Sequence, residues 1–347
     1  MSQQSFRGHL RIATEEAYIP SELLEEYRTM LDEGGGDLGF ASLWRYYMGE
    51  SEHARAVTER MQDLGDLRLA DMDRLGIDHQ ILSLTCPGVE LLDPDRAREL
   101  TVLTNNRIAD ACDAHPSRFS GLAAGYLQDV DFTVAELRRA VEERGLRGLI
   151  VNSHARGLYL DDARFEPLFA EAARLDVPLY LHPNTPSDRM IGPLLDAGLA
   201  GAIYGFGAET GMHLIRIIFS GVFDRHPGLR LVVGHLGEAL PFWQFRIDHF
   251  HAVQERSARY PDRPTLRQAP SEYLRTNVWI TTSGMAWAPA IEFVRQVVGS
   301  NRVLYAMDYP YQAVAAEVDV QENLDMDDAQ RRHFFETGAK EVFGLRL

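Results

Sequence analysis

The chain reads as an α/β protein: one closed barrel of eight parallel strands alternating with helices, (β/α)8, with an inserted loop and helical segment after the first strand. Three observations predict this. Apolar, β-branched runs recur along the 347 residues, and capped amphipathic stretches separate them. At or beside the last positions of four of those runs stand acid or imidazole side chains, Glu15, His182, His235 and Asp308. Continuous apolar runs fit parallel strands covered on both faces. In a barrel of this kind, side chains at the carboxyl ends of the strands converge on one mouth.

The expected strands are Leu10–Glu15, Gln80–Thr85, Phe119–Leu127, Gly148–Ser153, Pro178–His182, Leu229–His235, Val278–Thr282 and Val303–Asp308. Between them, Asp131 to Gly145 opens on an acidic cap, closes on glycine and carries apolar residues at helical spacing. Asp161 to Asp176 and Ala208 to Phe223 read the same way. The first connection is unusually long. It contains DEGGGDLGF and ASLWRYYMGE before a helix ending near Gly76, and an insertion over about residues 20–65 is expected to cover the mouth. Trp44, Tyr46 and Tyr47 in it offer aromatic surface to a ring-shaped ligand, or else anchor the insertion. A second excursion, Trp243 to Thr276, is rich in arginine and aromatics and suits either the site or a subunit contact. No sequence repeat, low-complexity tract or domain-splitting linker interrupts the chain, so residues 1–347 are expected to form a single domain.

A composition of 45% hydrophobic and 25% charged residues is ordinary for a globular protein. The formal net charge of -16 argues against nucleic acid or anionic membrane as a partner. It leaves room for an anionic substrate met by a local cation. Cys86 and Cys112 alone make no disulfide framework. The polar start shows no secretory h-region and no stretch is long and apolar enough to span a bilayer, so a cytoplasmic protein is expected.

His182, in PLYLHPNTP, closes an apolar strand just before Pro183. A lone histidine there is ordinarily a hydrogen-bonded core residue. His235, in LVVGHLGE, repeats the device on the next strand, with glycines that let backbone come close, and Glu238 is placed to orient its ring. Asp308, in RVLYAMDYPYQ, has a helix-cap reading as well as a ligand reading. Glu15, in RIATEEAY, is lifted above an ordinary solvated pair by its strand position, and alternation turns Glu16 away from the mouth. Two carboxylates and two imidazoles at one mouth suit a single divalent cation. His154, His213 and His249 are taken as structural.

These strand ends resemble the amidohydrolase superfamily, specifically its branch of non-oxidative aromatic acid decarboxylases and the carboxyvanillate-like subgroup within it. The motifs are RIATEEAY, ASLWRYY, LADMDRLGID, ILSLTCPGV, YLHP, GFGAETGMHLIR, VGHLGEALPFWQFRID, TTSG and YAMDYPYQ, spread over nearly the whole chain. The resemblance implies a TIM-type barrel in which Glu15, His182 and Asp308 bind one divalent metal, Mn²⁺ first and Zn²⁺ as the competing choice. His235 then sits beside the substrate, and Tyr47, Thr85, Arg246 and Tyr311 match substrate-holding positions. Ala17 stands where some relatives keep a histidine, and the fourth strand ends in VNSHAR without a bridging lysine, which disfavours a two-metal hydrolase. His53 stands where the subgroup has an arginine expected to grip a substrate carboxylate; Arg55 lies two residues on.

The reaction so implied is decarboxylation through ring-carbon protonation. Asp308 acts as proton donor, His235 assists, and Arg246 pairs with a carboxylate. The alternative on the same barrel is a metal-dependent hydrolase or hydratase, with His235 as base; a non-catalytic barrel is a third class. The branch points to a homodimer or homotetramer.

Overall fold

The computed structural model describes residues 7–347. Its eight strands are β1 (Ile12–Tyr18), β2 (His79–Leu84), β3 (Phe119–Gly121), β4 (Leu149–Asn152), β5 (Leu179–His182), β6 (Leu231–Val233), β7 (Val278–Thr281) and β8 (Val303–Leu304). They form two parallel arcs, β1-β2-β3 and β4-β5-β6-β7-β8. Two seams close the ring. Ala123 pairs with Leu149, with Ala123 N donating to Gly148 O at 2.8 Å and Ile150 N to Ala123 O at 2.8 Å. Glu16 pairs with Tyr309, and Ala17 N donates to Tyr309 O at 2.7 Å.

Strand alternation sorts the core into two clusters. Ile81, Ile150, Tyr180, Val232 and Leu304, on five different strands, share one buried cluster and fill the barrel. Their neighbours Leu82, Val151, Leu181, Val233 and Val303 belong to the other, which includes Leu214, Ile217, Ile291 and Val294 from the surrounding helices. Capping side chains mark several helix starts: Asp37 accepts from Phe40 N, Ser51 from Ala54 N, and Asp129 from Phe132 N. That last helix runs Val130–Glu142, so its cap is Asp129 and not Asp131 as the sequence suggests. The stretch expected from Asp161 becomes a 3-10 turn and the helix Glu166–Leu175, and the one expected from Ala208 starts earlier, at Gly205, and ends at Phe219.

Most strands are shorter than expected, β3, β6 and β8 the most, and at β3 and β8 the physical reason is the same. Beyond β3, Ala124 N, Tyr126 N and Leu127 N donate to Asn105, Thr133 and Glu90 side chains. Beyond β8, Ala306 N donates to Thr282 Oγ1 at 3.1 Å, and Met307 N and Tyr309 N donate to the two oxygens of Glu16. The chain stays satisfied there, but side chains replace the neighbouring strand. Glu16 is therefore a buried tie between β1 and the end of β8, with Arg68 nearby, and not a solvated residue. Burial pushes its carboxyl well above the ordinary range, against the pull of the two backbone donors and Arg68.

Four helices, Ser21–Asp32, Leu38–Tyr47, Glu52–Gln62 and Asp66–Leu75, occupy the first connection. Among the described residues, no helix is long and apolar enough to cross a membrane.

Candidate metal centre and active site

Glu15 rises from the inside of β1, and its two oxygens are treated differently. Oε2 accepts hydrogen bonds from Tyr180 Oη, Ser283 Oγ at 2.7 Å and Thr281 Oγ1 at 3.2 Å. Oε1 is buried with no hydrogen-bond partner, and faces His182 Nε2 at 3.5 Å and His235 Nε2 at 3.6 Å. His182 ends β5, and its Nδ1–H donates to Pro183 O at 2.8 Å, which leaves the Nε2 lone pair free. Asp308 follows β8 at φ 69°, a left-handed conformation that a non-glycine residue adopts at a cost. One donor atom each from Glu15, His182 and Asp308 falls within 4.8 Å of the others.

That arrangement fits a small divalent cation. The donor set is two carboxylate oxygens and one imidazole nitrogen, hard to borderline ligands. The orphaned Oε1 is a buried acceptor that only a cation or donor in the gap would satisfy, and the three donors behind Oε2 hold the carboxylate in place. Burial alone would raise the Glu15 pKa, but His235, His182 and the Tyr180 and Ser283 hydroxyls bring it below the ordinary value. For Asp308 burial wins, and its carboxyl titrates above the ordinary range despite His235.

His235 comes just after β6 in a run of five residues with positive φ, His235 to Ala239, of which only Gly237 is glycine. A left-handed turn costs roughly 1–2 kcal/mol per non-glycine residue. What it achieves is to turn the ring back into the mouth, where Nδ1–H donates to Glu238 Oε1 at 3.0 Å and Nε2 stands 3.8 Å from Asp308 Oδ2. Burial opposes protonation of His235, but Glu15, Glu238 and Asp308 raise it well above the usual imidazole range.

Over this floor opens a cavity of about 870 Å³ whose wall includes Tyr46, Tyr47, Tyr311, Met212, Leu240 and Glu238. Tyr47 packs edge-on to Tyr311 at 5.4 Å, and Thr85 Oγ1 lies 2.6 Å from the Tyr311 hydroxyl. Trp44 instead is buried under the insertion, its indole N–H donating to Cys86 O. His53 is exposed against the Tyr46 ring, and Arg246 is exposed over the face of Phe250 at 4.9 Å; neither lines the cavity of this chain. The helix Leu240–Ser257 buries only Leu240 and Pro241, which leaves Arg246 in solvent. His213 and His154 are buried, His213 between Ser153 and Leu160 N and His154 against Thr185 O, while His249 is exposed and stacked on Phe245.

Tyr180, Thr281 and Ser283, which grip Glu15, were not singled out by the sequence. A signal existed: Tyr180 lies two residues before His182 and Ser283 two after Thr281, so strand alternation puts each pair on one face. Gly234 is a further one, since a Cβ there would lie 2.5 Å from Glu15 Oε2.

Fold and site together define a (β/α)8 barrel with a three-residue cation cradle at the carboxyl ends of its strands. A family model described as Amidohydrolase matches residues 41–345, and the chain belongs to the amidohydrolase family. Gamma-resorcylate decarboxylase of Rhodococcus jostii is 35% identical over 300 residues, covering 82% of this chain and 89% of that protein. A crystal structure of 5-carboxyvanillate decarboxylase from Novosphingobium aromaticivorans, complexed with manganese and 4-hydroxy-3-methoxy-5-nitrobenzoic acid, is 47% identical with a TM-score of 0.97, covering 99% of this chain and 98% of that one. 5-Carboxyvanillate decarboxylase from Sphingomonas paucimobilis is 35% identical with a TM-score of 0.92, covering 97% and 99%.

Proposed function

We propose that the chain is a metal-dependent carboxy-lyase that removes CO₂ without oxidation from a hydroxylated aromatic carboxylic acid. The observation that carries this reading is the convergence of Glu15, His182 and Asp308 within 4.8 Å beneath a cavity sized for an aromatic ring. Relatives and structural neighbours that span the chain are decarboxylases of phenolic acids. Glu15, His182 and Asp308 would hold one divalent ion. Manganese is favoured by the neighbour that carries it, with zinc suited to the same donors. A cation there supplies the positive charge that favours the ionised ortho phenol and pairs with the substrate carboxylate.

The remaining chemistry falls to side chains. Direct loss of CO₂ from a benzoate would leave an aryl anion in an orbital that cannot delocalise. Asp308 avoids this by taking the phenolic proton and delivering it to the ring carbon that bears the carboxylate. The ring becomes a cyclohexadienone. The C–C bond to the carboxylate then breaks, its electron pair restores the aromatic ring, and CO₂ departs, leaving a phenolate that solvent reprotonates. His235, fixed by Glu238, meets the reacting carboxylate through Nε2. Tyr47 and Tyr311, the latter anchored by Thr85, bound the ring, and the insertion over residues 20–65 covers the mouth. Asp308→Asn should cut kcat about 10²–10⁴-fold while manganese content largely survives. Near-parental turnover would refute the role. CO₂ release without water consumption separates this reaction from hydrolysis.

A second copy of the chain is the partner this reading favours. Ile203 (73% exposed), Phe242 (72%), Phe245 (82%) and Trp287 (64%) are large apolar side chains left in solvent, and Phe242 packs on Trp243 and Phe293, which supports a contact there. Phe245→Glu should lower the mass seen by light scattering if that face pairs; an unchanged mass refutes it. The cytoplasm is the proposed location, in keeping with Cys86 and Cys112 both being free thiols.

A further inference from the structure

Two consecutive carboxylates, Glu15 and Glu16, leave β1 on opposite sides. Ala13 pairs with Gln80 but Glu16 with Leu82, so β1 uses one residue more than β2 over this stretch. That bulge resets the alternation. Ile12 before it and Ala17 after it share the inner cluster, while Ala13 and Tyr18 belong to the outer one. Glu15 therefore faces the cradle and Glu16 faces away from it. There Glu16, fully buried, accepts Met307 N on Oε1 at 3.1 Å and Tyr309 N on Oε2 at 3.2 Å. Those two N–H groups flank Asp308. The peptide plane after Asp308 is gripped at its other end too, where Asp308 O accepts Gln312 N at 2.9 Å. Asp308 stands between these ties at φ 69°, and a non-glycine residue keeps such a conformation only where its surroundings over-determine it. Glu16 is itself backed. Gln80 Nε2 donates to its Oε2 at 3.4 Å and Gln80 Oε1 accepts Arg68 Nη1 at 3.4 Å, while the buried Arg68 guanidinium lies 4.7 Å over the Tyr309 ring.

We propose that Glu16 is a positioning residue: by bracketing Asp308 through the N–H groups on either side, it aims that carboxyl at the cation gap and at the ring carbon to be protonated. The second of these tasks rests on the decarboxylase reading above; the first rests on the cradle alone. Reach is the property that matters, because one carboxyl has to span two N–H groups two residues apart. Glutamine at this position offers a single accepting oxygen, and its amide nitrogen cannot accept from the other N–H. Aspartate keeps both acceptors but is one methylene short of the span. Either change frees one side of Asp308, and partners standing behind a metal ligand typically matter 10–100-fold in metal affinity or activity.

The test compares Glu16→Gln and Glu16→Asp with Tyr309→Phe. The last removes the 3.0 Å bond from the Tyr309 hydroxyl to Asp71, which keeps Arg60 and Arg74 as partners, and so loosens the same segment without touching the bracket. Four quantities are read: Mn²⁺ affinity of metal-stripped protein by calorimetry, the electron paramagnetic resonance spectrum of bound Mn²⁺, Tm, and CO₂ release at saturating Mn²⁺ from gamma-resorcylate and 5-carboxyvanillate. Both Glu16 variants should bind Mn²⁺ at least about tenfold more weakly, with an altered manganese spectrum. Both should also lose at least about tenfold in kcat with KM within about threefold of the parent, since Asp308 acts on the proton and not on substrate capture. Tyr309→Phe should lower Tm and leave kcat and manganese affinity parental. Parental kcat and manganese affinity in either Glu16 variant overturn the inference, as does an equal kcat loss in Tyr309→Phe, which would mark general loosening. If Glu16→Gln does not fold, Glu16→Asp carries the test on the same criteria. No CO₂ from either acid with the parent protein sinks the reaction class, while manganese affinity and spectrum still decide whether Glu16 holds Asp308.

Discussion

Tyr180 offers a way to weaken the cation cradle without touching the substrate. Its hydroxyl donates to Glu15 Oε2 alongside Ser283 Oγ at 2.7 Å and Thr281 Oγ1 at 3.2 Å, and the residue is absent from the cavity wall. Tyr180→Phe removes one of three hydrogen bonds to a charged group, worth about 1.5–3 kcal/mol. Thr281 Oγ1, which lies 2.9 Å from that hydroxyl, keeps Ser283 Oγ at 3.1 Å as a partner, so no second polar group is orphaned. Loss of a group that orients a metal ligand typically costs 10–100-fold in metal affinity, which is about 1.4–2.8 kcal/mol and overlaps the hydrogen-bond figure. The assay is calorimetric titration of metal-stripped protein with Mn²⁺, followed by kcat at saturating Mn²⁺. The variant should bind manganese more weakly by that factor and regain near-parental kcat once saturated. An unchanged Kd, or a kcat deficit that excess Mn²⁺ does not repair, would refute the assignment of Glu15 as a ligand held from behind.

Three further outcomes follow from the same geometry. Gly234→Ala places a Cβ 2.5 Å from Glu15 Oε2 and 3.0 Å from Ser283 Oγ, so the carboxylate must shift; manganese affinity should fall and stability drop by about 1–3 kcal/mol, and unaltered manganese binding would contradict this. Thr85→Val removes the 2.6 Å partner of the Tyr311 hydroxyl and should raise KM roughly 5–10-fold, with a parental KM as the contrary result. Glu209, buried beside Ser153, has its pKa pushed from 4.5 up to about 8, chiefly by burial. The native state then keeps a proton that the unfolded chain loses, so stability falls as pH rises from 4.5 to about 8, by at most about 1.4 kcal/mol per pH unit across that window. Glu209→Gln has no such proton, so its Tm advantage over the parent should grow across that range; a pH-independent difference in Tm would refute it.

Most of the fold is legible in the sequence because parallel strands advertise themselves as continuous apolar runs, and every one of the eight was locatable. Their lengths were not. At Ala124 to Leu127 and Ala306 to Tyr309, long-range side chains from Asn105, Thr133, Glu90, Thr282 and Glu16 take over the backbone donors, and no local pattern announces that exchange. The floor of the site was legible because strand ends in a barrel share one mouth, which brings Glu15, His182 and Asp308 together from positions far apart in the chain. The hydroxyls behind Glu15 were hidden in ordinary-looking strand residues. The left-handed turn at His235 to Ala239 was hidden too, since four of its five residues are not glycine. Arg246 and His53 show the limit of position matching: Arg246 stands in a recognisable motif and His53 where the subgroup has an arginine, yet exposure on its own helix keeps each out of this chain's cavity.

The central claim is one divalent cation between three named side chains. Anomalous diffraction at the manganese edge from crystals grown with Mn²⁺ tests it most directly. A single peak per chain, bonded to Glu15 Oε1, His182 Nε2 and an Asp308 oxygen and lost in His182→Ala, is the predicted result. No peak in that gap, together with CO₂ release undiminished by stripping metal, would contradict it.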